Sequence, residues 1–385
     1  MTILRANTIS GLGTDGPVFD GSLEFNSQNY VILPKGTTDN RVGLGSTAGA
    51  LRYNTDSNKV ELWDGNQWVE VQSSRPDLNG GARGVFIAGQ TPITAIDYIN
   101  IASTGNAVSF GTLTSGARDQ SQSMATASST RGLHMGGNAP GGNGNTIDYL
   151  TISSTGNTQD FGDLHTSNFR GAACASSTRA LYAGGYLYPA PGAAINNIQY
   201  VTIASQGVNG QDFGDLTSAR ASSGSFSSPT RGVWGGGYGS APTYTRVNII
   251  DFATISTLGN AFDFGDLSYA GYSQGSCSNP VRGLFAGYQG TSPVTGSNTI
   301  EYVTIASIGN STDFGDLTRS NARVTAASSP TRGVFAGGYT NTPATTNNNI
   351  IDYVTINTQG NAVDFGDLTS NRNSSGGLSN AHGGL

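Results

Sequence analysis

The sequence is poor in the residues that usually carry chemistry. Of 385 residues, 2 are cysteine and 3 are histidine, and Lys, Arg, Asp and Glu together make up 11%. A typical soluble domain is roughly 25% charged. No run approaches the roughly 18 consecutive apolar residues of a membrane helix, so no membrane insertion is expected. Met1-Thr2-Ile3-Leu4-Arg5-Ala6-Asn7 has no apolar secretory core, and the expectation is synthesis as a soluble cytoplasmic protein. The formal net charge of −6 disfavours nucleic acid as a partner, because displacing counterions requires a basic patch. No stretch shows a 3.6-residue apolar period. There is no G-x-S-x-G elbow, no P-loop and no H-E-x-x-H spacing around His134, His165 or His382. Gly11-Leu12-Gly13-Thr14-Asp15-Gly16 matches G-x-G-x-x-G in letters only. A dinucleotide site needs a strand before it and a helix after it, and Pro17-Val18-Phe19 follows instead. No cofactor, no catalytic residue and no enzyme activity are expected.

What is abundant is glycine, 56 residues or about 15%, roughly twice average usage, together with an internal repeat. Arg83, Arg131, Arg179, Arg231, Arg282 and Arg332 open six copies, spaced by 48, 48, 52, 51 and 50 residues. A second landmark reads Ile-Asp-Tyr or a close variant: Ile96-Asp97-Tyr98, Ile147-Asp148-Tyr149, Ile198-Gln199-Tyr200, Ile250-Asp251-Phe252, Ile300-Glu301-Tyr302 and Ile351-Asp352-Tyr353. The third is Asp-Phe-Gly-Asp-Leu, ending at Leu164, Leu216, Leu267, Leu317 and Leu368, and degenerate at Ser109-Phe110-Gly111-Thr112-Leu113. Disordered chains lack buriable apolar phrases of this kind.

Each copy predicts four strands. In the fourth these are a (221–226), b (232–236), c (249–255) and d (261–265). Four strands per unit of about fifty residues point to propeller blades. Gly-Gly after an apolar strand, and Arg220, Arg323 and Arg372 at the start of strand a, resemble kelch-type repeats. The first copy lacks a strand a, while Arg372–Asn380 matches one and is left over at the other end. The expected fold is therefore all-β: a small N-terminal β-module (1–74), then a six-bladed kelch-like β-propeller (75–385) closed by the C-terminal strand. Cys174 and Cys277 occupy one slot in copies two apart. They are expected to be small core residues with no disulfide between them.

Residues 1–74 do not carry the repeat. Val18–Phe25 and Tyr30–Pro34 look like short strands, and Asp64-Gly65 marks a hairpin with Trp63 and Trp68 sharing a cluster. Leu51-Arg52-Tyr53-Asn54-Thr55, then Glu61-Leu62-Trp63-Asp64-Gly65 and Trp68, resemble a small β-module of tailed-bacteriophage fibre and other virion proteins. The opening Gly16-Pro17-Val18-Phe19-Asp20-Gly21-Ser22-Leu23 is similar to the start of marine, cyanophage-like structural proteins. The resemblance implies a virion protein whose first 74 residues contact other virion proteins, with a homo-oligomer, taken as a trimer, supplying stability that so small a module lacks. It also implies a distal part that meets a host-surface glycan or protein.

Alternating strand direction puts the a–b and c–d turns on one face and the b–c and d–a connections on the other. The first set is monotonous; the b–c loops differ in every copy. Unlike loops on a repeated scaffold make binding surfaces. The candidate contact residues are Tyr186, Tyr188, Tyr238, Tyr244, Arg246, Tyr288 and Tyr339, because tyrosine offers large contact area at low ordering entropy. The recurring pairs Asp160/Asp163, Asp212/Asp215, Asp263/Asp266, Asp313/Asp316 and Asp364/Asp367 suit turns or pairing with the following Arg, with repeated Ca²⁺ ligation as the alternative. The arginines that open the copies suit hydrogen bonding between blades. Passive decoration of a capsid, neck or tail, and a glycan-acting propeller enzyme, are the competing functional expectations.

Overall fold

The computed structural model describes residues 32–41, 48–57, 59–70, 82–90, 93–116, 124–137, 144–188, 192–240, 242–290, 296–340 and 346–385. The strands expected at Val18–Phe25 and Tyr30-Val31 lie outside the described residues, as does Gly11–Gly16. The chain divides into two units, Met1–Arg75 and Pro76–Leu385.

In the first unit, Lys35–Gly36 runs parallel to Leu51–Asn54, which continues antiparallel through Lys59–Trp63 to Trp68–Glu70. Gly65 at φ 100° turns the last hairpin, and the Asp64 carboxylate accepts from the amides of Asn66 and Gln67. Trp63 and Trp68 meet with centroids 5.6 Å apart. Glu61 is fully buried and would be costly there unpaired. Arg41 and Asn54 bond to it and Arg52 lies 3.7 Å away. The Arg41 guanidinium holds its carboxyl below the usual range.

Among its described residues the second unit has six antiparallel four-stranded sheets, which follow the repeat, and two small two-stranded ones. The fourth has strands a Gly224–Ser227, b Arg231–Gly235, c Ile249–Thr254 and d Phe262–Asp266. The strand order a-b-c-d recurs in all six, numbered I to VI in the order of the arginines Arg83 to Arg332. Strand a of sheet I is Gly376–Ser379, paired with Arg83–Ile87. Strand a begins about three residues later than the sequence suggests, because Ser222 adopts φ 58° in the crossover and Ala221 bridges Tyr238 instead.

The core lies between consecutive sheets. Val233, Ile250 and Phe264 of sheet IV pack with Phe285, Val303 and Ile305 of sheet V. Val334, Ile351 and Phe365 of sheet VI pack with Phe86, Ile99 and Ile101 of sheet I. Each such side chain contributes about 1.5–3 kcal/mol when removed from water. Glycine permits the approach: a Cβ on Gly283 would come within 2.0 Å of the Phe226 ring of the preceding sheet. Cys174 and Cys277 are free and buried, as expected, and face Gly232 and Gly333 of the following sheets. Burial pushes both thiols up.

The opening arginines do join sheets. Each guanidinium lies 4.5 to 4.9 Å from the ring of its own strand c: Tyr98, Tyr149, Tyr200, Phe252, Tyr302 and Tyr353. Each then donates to a carbonyl in the next sheet, that of Ile152, Ile203, Ile255, Ile305, Ile356 or, for Arg332, Ile101 of sheet I, at 2.7 to 3.2 Å. On the a strands a ladder of hydroxyls does the same. Ser379 donates to Ser328 O, Ser328 to Ser278 O, Ser278 to Ser227 O, and Ser227 to Ala175 O. Ala175 has no hydroxyl to continue the ladder to Ala127, and the His382 ring meets the Ala127 carbonyl at 2.6 Å instead. These strands line a cavity of about 40 Å³, room for roughly two or three waters.

The buried acid of the Ile-Asp-Tyr phrase has a repeated partner. Asp97 pairs with Arg372 at 2.6 Å and Asp251 with Arg220 at 2.9 Å, while Thr369 and Thr217 donate to the same carboxylates. The crossover arginine therefore pairs with this acid and not with the second Asp of Asp-Phe-Gly-Asp-Leu. Arg323 does not share the slot of Arg220 and Arg372; Asn321 holds it and donates to Gly337 O at 2.7 Å.

Candidate binding face

Strand b of sheets II, III, IV and VI ends in a glycine pair, both residues at positive φ: Gly136-Gly137, Gly184-Gly185, Gly236-Gly237 and Gly337-Gly338. A Cβ on Gly184 would sit 2.4 Å from Arg220 O, so the pair both turns the chain and lets it lie on the next crossover. The residue that follows then pairs with its own crossover. Tyr238 and Ala221 exchange backbone hydrogen bonds, as do Tyr339 and Ala322. The b–c loops and d–a crossovers thus form one surface.

Its centre is aromatic. Centroids step from Phe169 to Tyr186 (5.7 Å), Tyr186 to Tyr238 (5.6 Å) and Tyr238 to Tyr272 (4.5 Å), with Tyr244 6.1 Å from Tyr238. Tyr269 and Tyr288 stack separately at 5.0 Å. Burial pushes the Tyr186 hydroxyl up, helped by Tyr238, and it donates to Gly239 O at 2.8 Å. Burial also pushes Tyr288 up, to about 12. Both remain neutral at ordinary pH.

The candidate tyrosines divide by exposure. Tyr186, Tyr238 and Tyr339 are buried. For Tyr186 and Tyr238 the reason is mutual: adjacent b–c loops fold on one another, and a row of rings fills the space between them. Tyr188, Arg246 and Tyr288 are half-buried, and Tyr244 is 50% exposed. Of these loops, residues 189–191, 241 and 291–295 are not described.

Sequence reasoning missed the crossovers. Tyr269, 53% exposed, and Tyr272 stand in Ser268-Tyr269-Ala270-Gly271-Tyr272, where copies four and six have Thr-Ser and Thr-Arg-Ser. Arg170 and Arg323 stand where copies four and five have Ser222 and Ser273, and all four residues adopt φ between 56° and 61°. Arg170 donates to the Tyr238 hydroxyl. Arg323 donates to Gln289 at 3.2 Å and Gln90 at 2.5 Å and lies 5.3 Å from the Tyr339 ring. Aligning the crossovers as well as the b–c loops exposes these departures.

The repeated Asp pairs lie on strand d, where the second Asp faces the first residue of strand c, as Asp266 faces Ile249. The second Asp of each has its amide bonded to the asparagine of the next sheet's c–d turn, as in Asp215 to Asn260 and Asp367 to Asn106. Among the described residues no three His, Cys, Asp or Glu side chains come together to hold a metal. His134 is buried in strand b of sheet II, and His165 is exposed after strand d.

No family model matches the chain, and no curated protein matches its sequence.

Proposed function

We propose that the six sheets are the blades of a closed six-bladed β-propeller, and that the protein is a non-enzymatic structural component of a phage virion. Residues 1–74 anchor it to other virion proteins, in several copies, and the propeller presents its b–c face to a host-surface glycan or protein. Closure is supported by the Arg332–Ile101 bond and the pairing of Gly376–Ser379 with Arg83–Ile87. The virion reading is supported by the Leu51–Thr55 and Glu61–Trp68 phrases, which fold into a hairpin sheet with paired tryptophans.

The observation that carries the binding reading is the contrast between the two faces. On one, near-identical turns are occupied in sheet-to-sheet bonds. On the other, unlike loops carry Tyr, Arg and Gln side chains around an aromatic centre. Weak single sites on a multicopy fibre add through avidity.

Two experiments test this. Purified protein is assayed for adsorption to host cells, with the loop of residues 238–246 replaced by that of another copy. Adsorption lost on replacement supports receptor binding. No adsorption by the parent leaves passive decoration, and turnover of a glycan would move the protein to the enzyme class. For closure, removing residues 370–385 takes away strand a of sheet I and the partner of Asp97. A truncated chain with an unchanged melting transition excludes the ring.

A further inference from the structure

We infer that the tyrosine surface of sheets III to V takes an acidic saccharide, its anionic group held between Arg170 and Arg246 and its apolar ring face laid on Tyr244. This deepens the receptor reading and rests on it. The chain is acidic overall at −6, yet these two guanidiniums flank one aromatic pair. Arg170 lies 5.9 Å from the Tyr238 ring and Arg246 5.3 Å from the Tyr272 ring, with Tyr238 and Tyr272 4.5 Å apart. Among the described residues neither arginine has a carboxylate within salt-bridge distance, in contrast to the paired Arg220 and Arg372.

Three donors at this place are left unused. The Nε atoms of Arg170 and Arg246 are buried without a hydrogen-bond partner, as are those of Arg220, Arg319 and Arg372, and here the hydroxyl of Ser222, a residue 1% exposed, is without one as well. The Ser222 amide is tied to Arg170 O at 2.7 Å, which fixes that hydroxyl's backbone beside the arginine's. Buried polar groups in native proteins are nearly always satisfied, and an orphan calls for a missing partner such as a water or a ligand. Guanidinium donors match carboxylate and sulfate. Tyr244 adds the apolar surface. It is half exposed and held at φ 44°, a conformation uncommon for a bulky residue and one that clusters at ligand-binding positions.

The test measures binding of the full chain to an oligogalacturonate, a sulfated oligosaccharide and a neutral malto-oligosaccharide by calorimetry. Binding of either acidic probe, weakened by salt and absent for the neutral one, is expected; which probe binds tells carboxylate from sulfate. Arg246→Gln or Arg170→Gln should weaken binding about tenfold each, and Tyr244→Ala should weaken it with an unchanged melt. If Arg170→Gln fails to fold, Arg246→Gln and Tyr244→Ala carry the test from less buried positions. Neutral sugar binding as well as acidic, no acidic probe binding, or variants that bind like the parent would overturn the inference. Host-cell adsorption that survives both arginine substitutions overturns it while leaving receptor binding in place. Loss of adsorption in the parent removes the receptor reading itself.

Discussion

Arg332 donates to the carbonyl of Ile101 at 3.1 Å, across 231 residues of chain, with its guanidinium 4.7 Å from the Tyr353 ring. Arg179 does the same to Ile255, from beside Tyr200. One bond joins sheet VI to sheet I; the other joins two sheets in mid-chain. A charged donor to a carbonyl contributes about 1.5–3 kcal/mol, and the ring contact about 0.5–1 kcal/mol more. Arg332→Ala and Arg179→Ala should therefore each cost about 2–4 kcal/mol, and by similar amounts. Urea midpoints compare them. A negligible cost for Arg332 beside a full cost for Arg179 would mean that sheets VI and I are not joined as the others are.

The pair Arg372–Asp97 is buried at both ends. Removing one partner leaves a desolvated charge and costs about 3–5 kcal/mol. Sheet III already carries a neutral version, with Gln199 in the acid's slot, bonded to Thr166, and Asn168 in the arginine's slot, bonded to Gly184 O. Asp97→Gln combined with Arg372→Asn should thus cost less than Arg372→Asn alone. A double-mutant cycle read by chemical denaturation gives the sign.

Asp352 lacks that buried arginine, since Asn321 takes its place and Arg319 comes no closer than 3.9 Å. Burial pushes its carboxyl up, and Asp364 adds to the effect, while Thr318 and Arg319 oppose it. With the folded value above the unfolded one, the folded state holds the extra proton. Stability from this group is present below the ordinary Asp range and declines as pH rises through the raised value. Asp352→Asn should remove that slope, so the variant gains on the parent as pH rises through this window. Melts across a pH series report it; parallel curves would exclude the effect.

Phe226 fills the space over Gly283. Gly283→Ala should cost about 1–3 kcal/mol through overpacking, and adding Phe226→Leu should restore part of it. Thermal melts of the single and double variants measure the compensation.

The repeat was legible because its landmarks are the joints themselves. The opening arginine needs a guanidinium, the strand c ring gives it a face, and the glycines of Asp-Phe-Gly-Asp and Gly-Gly admit neighbouring backbone. The partner of Arg372 was not legible, because Asp97 lies 275 residues away and several acids recur at equal spacing. Arg323 stands six residues after Leu317, where Arg220 and Arg372 stand four after Leu216 and Leu368, so it falls on the bend of the crossover at φ 56° and not in their slot. Nor did spacing show that Tyr186 and Tyr238 turn inward, because what buries them is the neighbouring loop.

Ser375 donates to the carbonyl of Ala88, 287 residues earlier, beside the strand that completes sheet I. A ribosome adding about 5–20 residues per second needs on the order of 15–60 s to cover that distance. For all that time the nascent Arg83–Ile87 segment has no mate on one side, and bare strands of this kind attract other chains. Yield of native protein should accordingly depend on how well the host shields half-made polypeptides during synthesis.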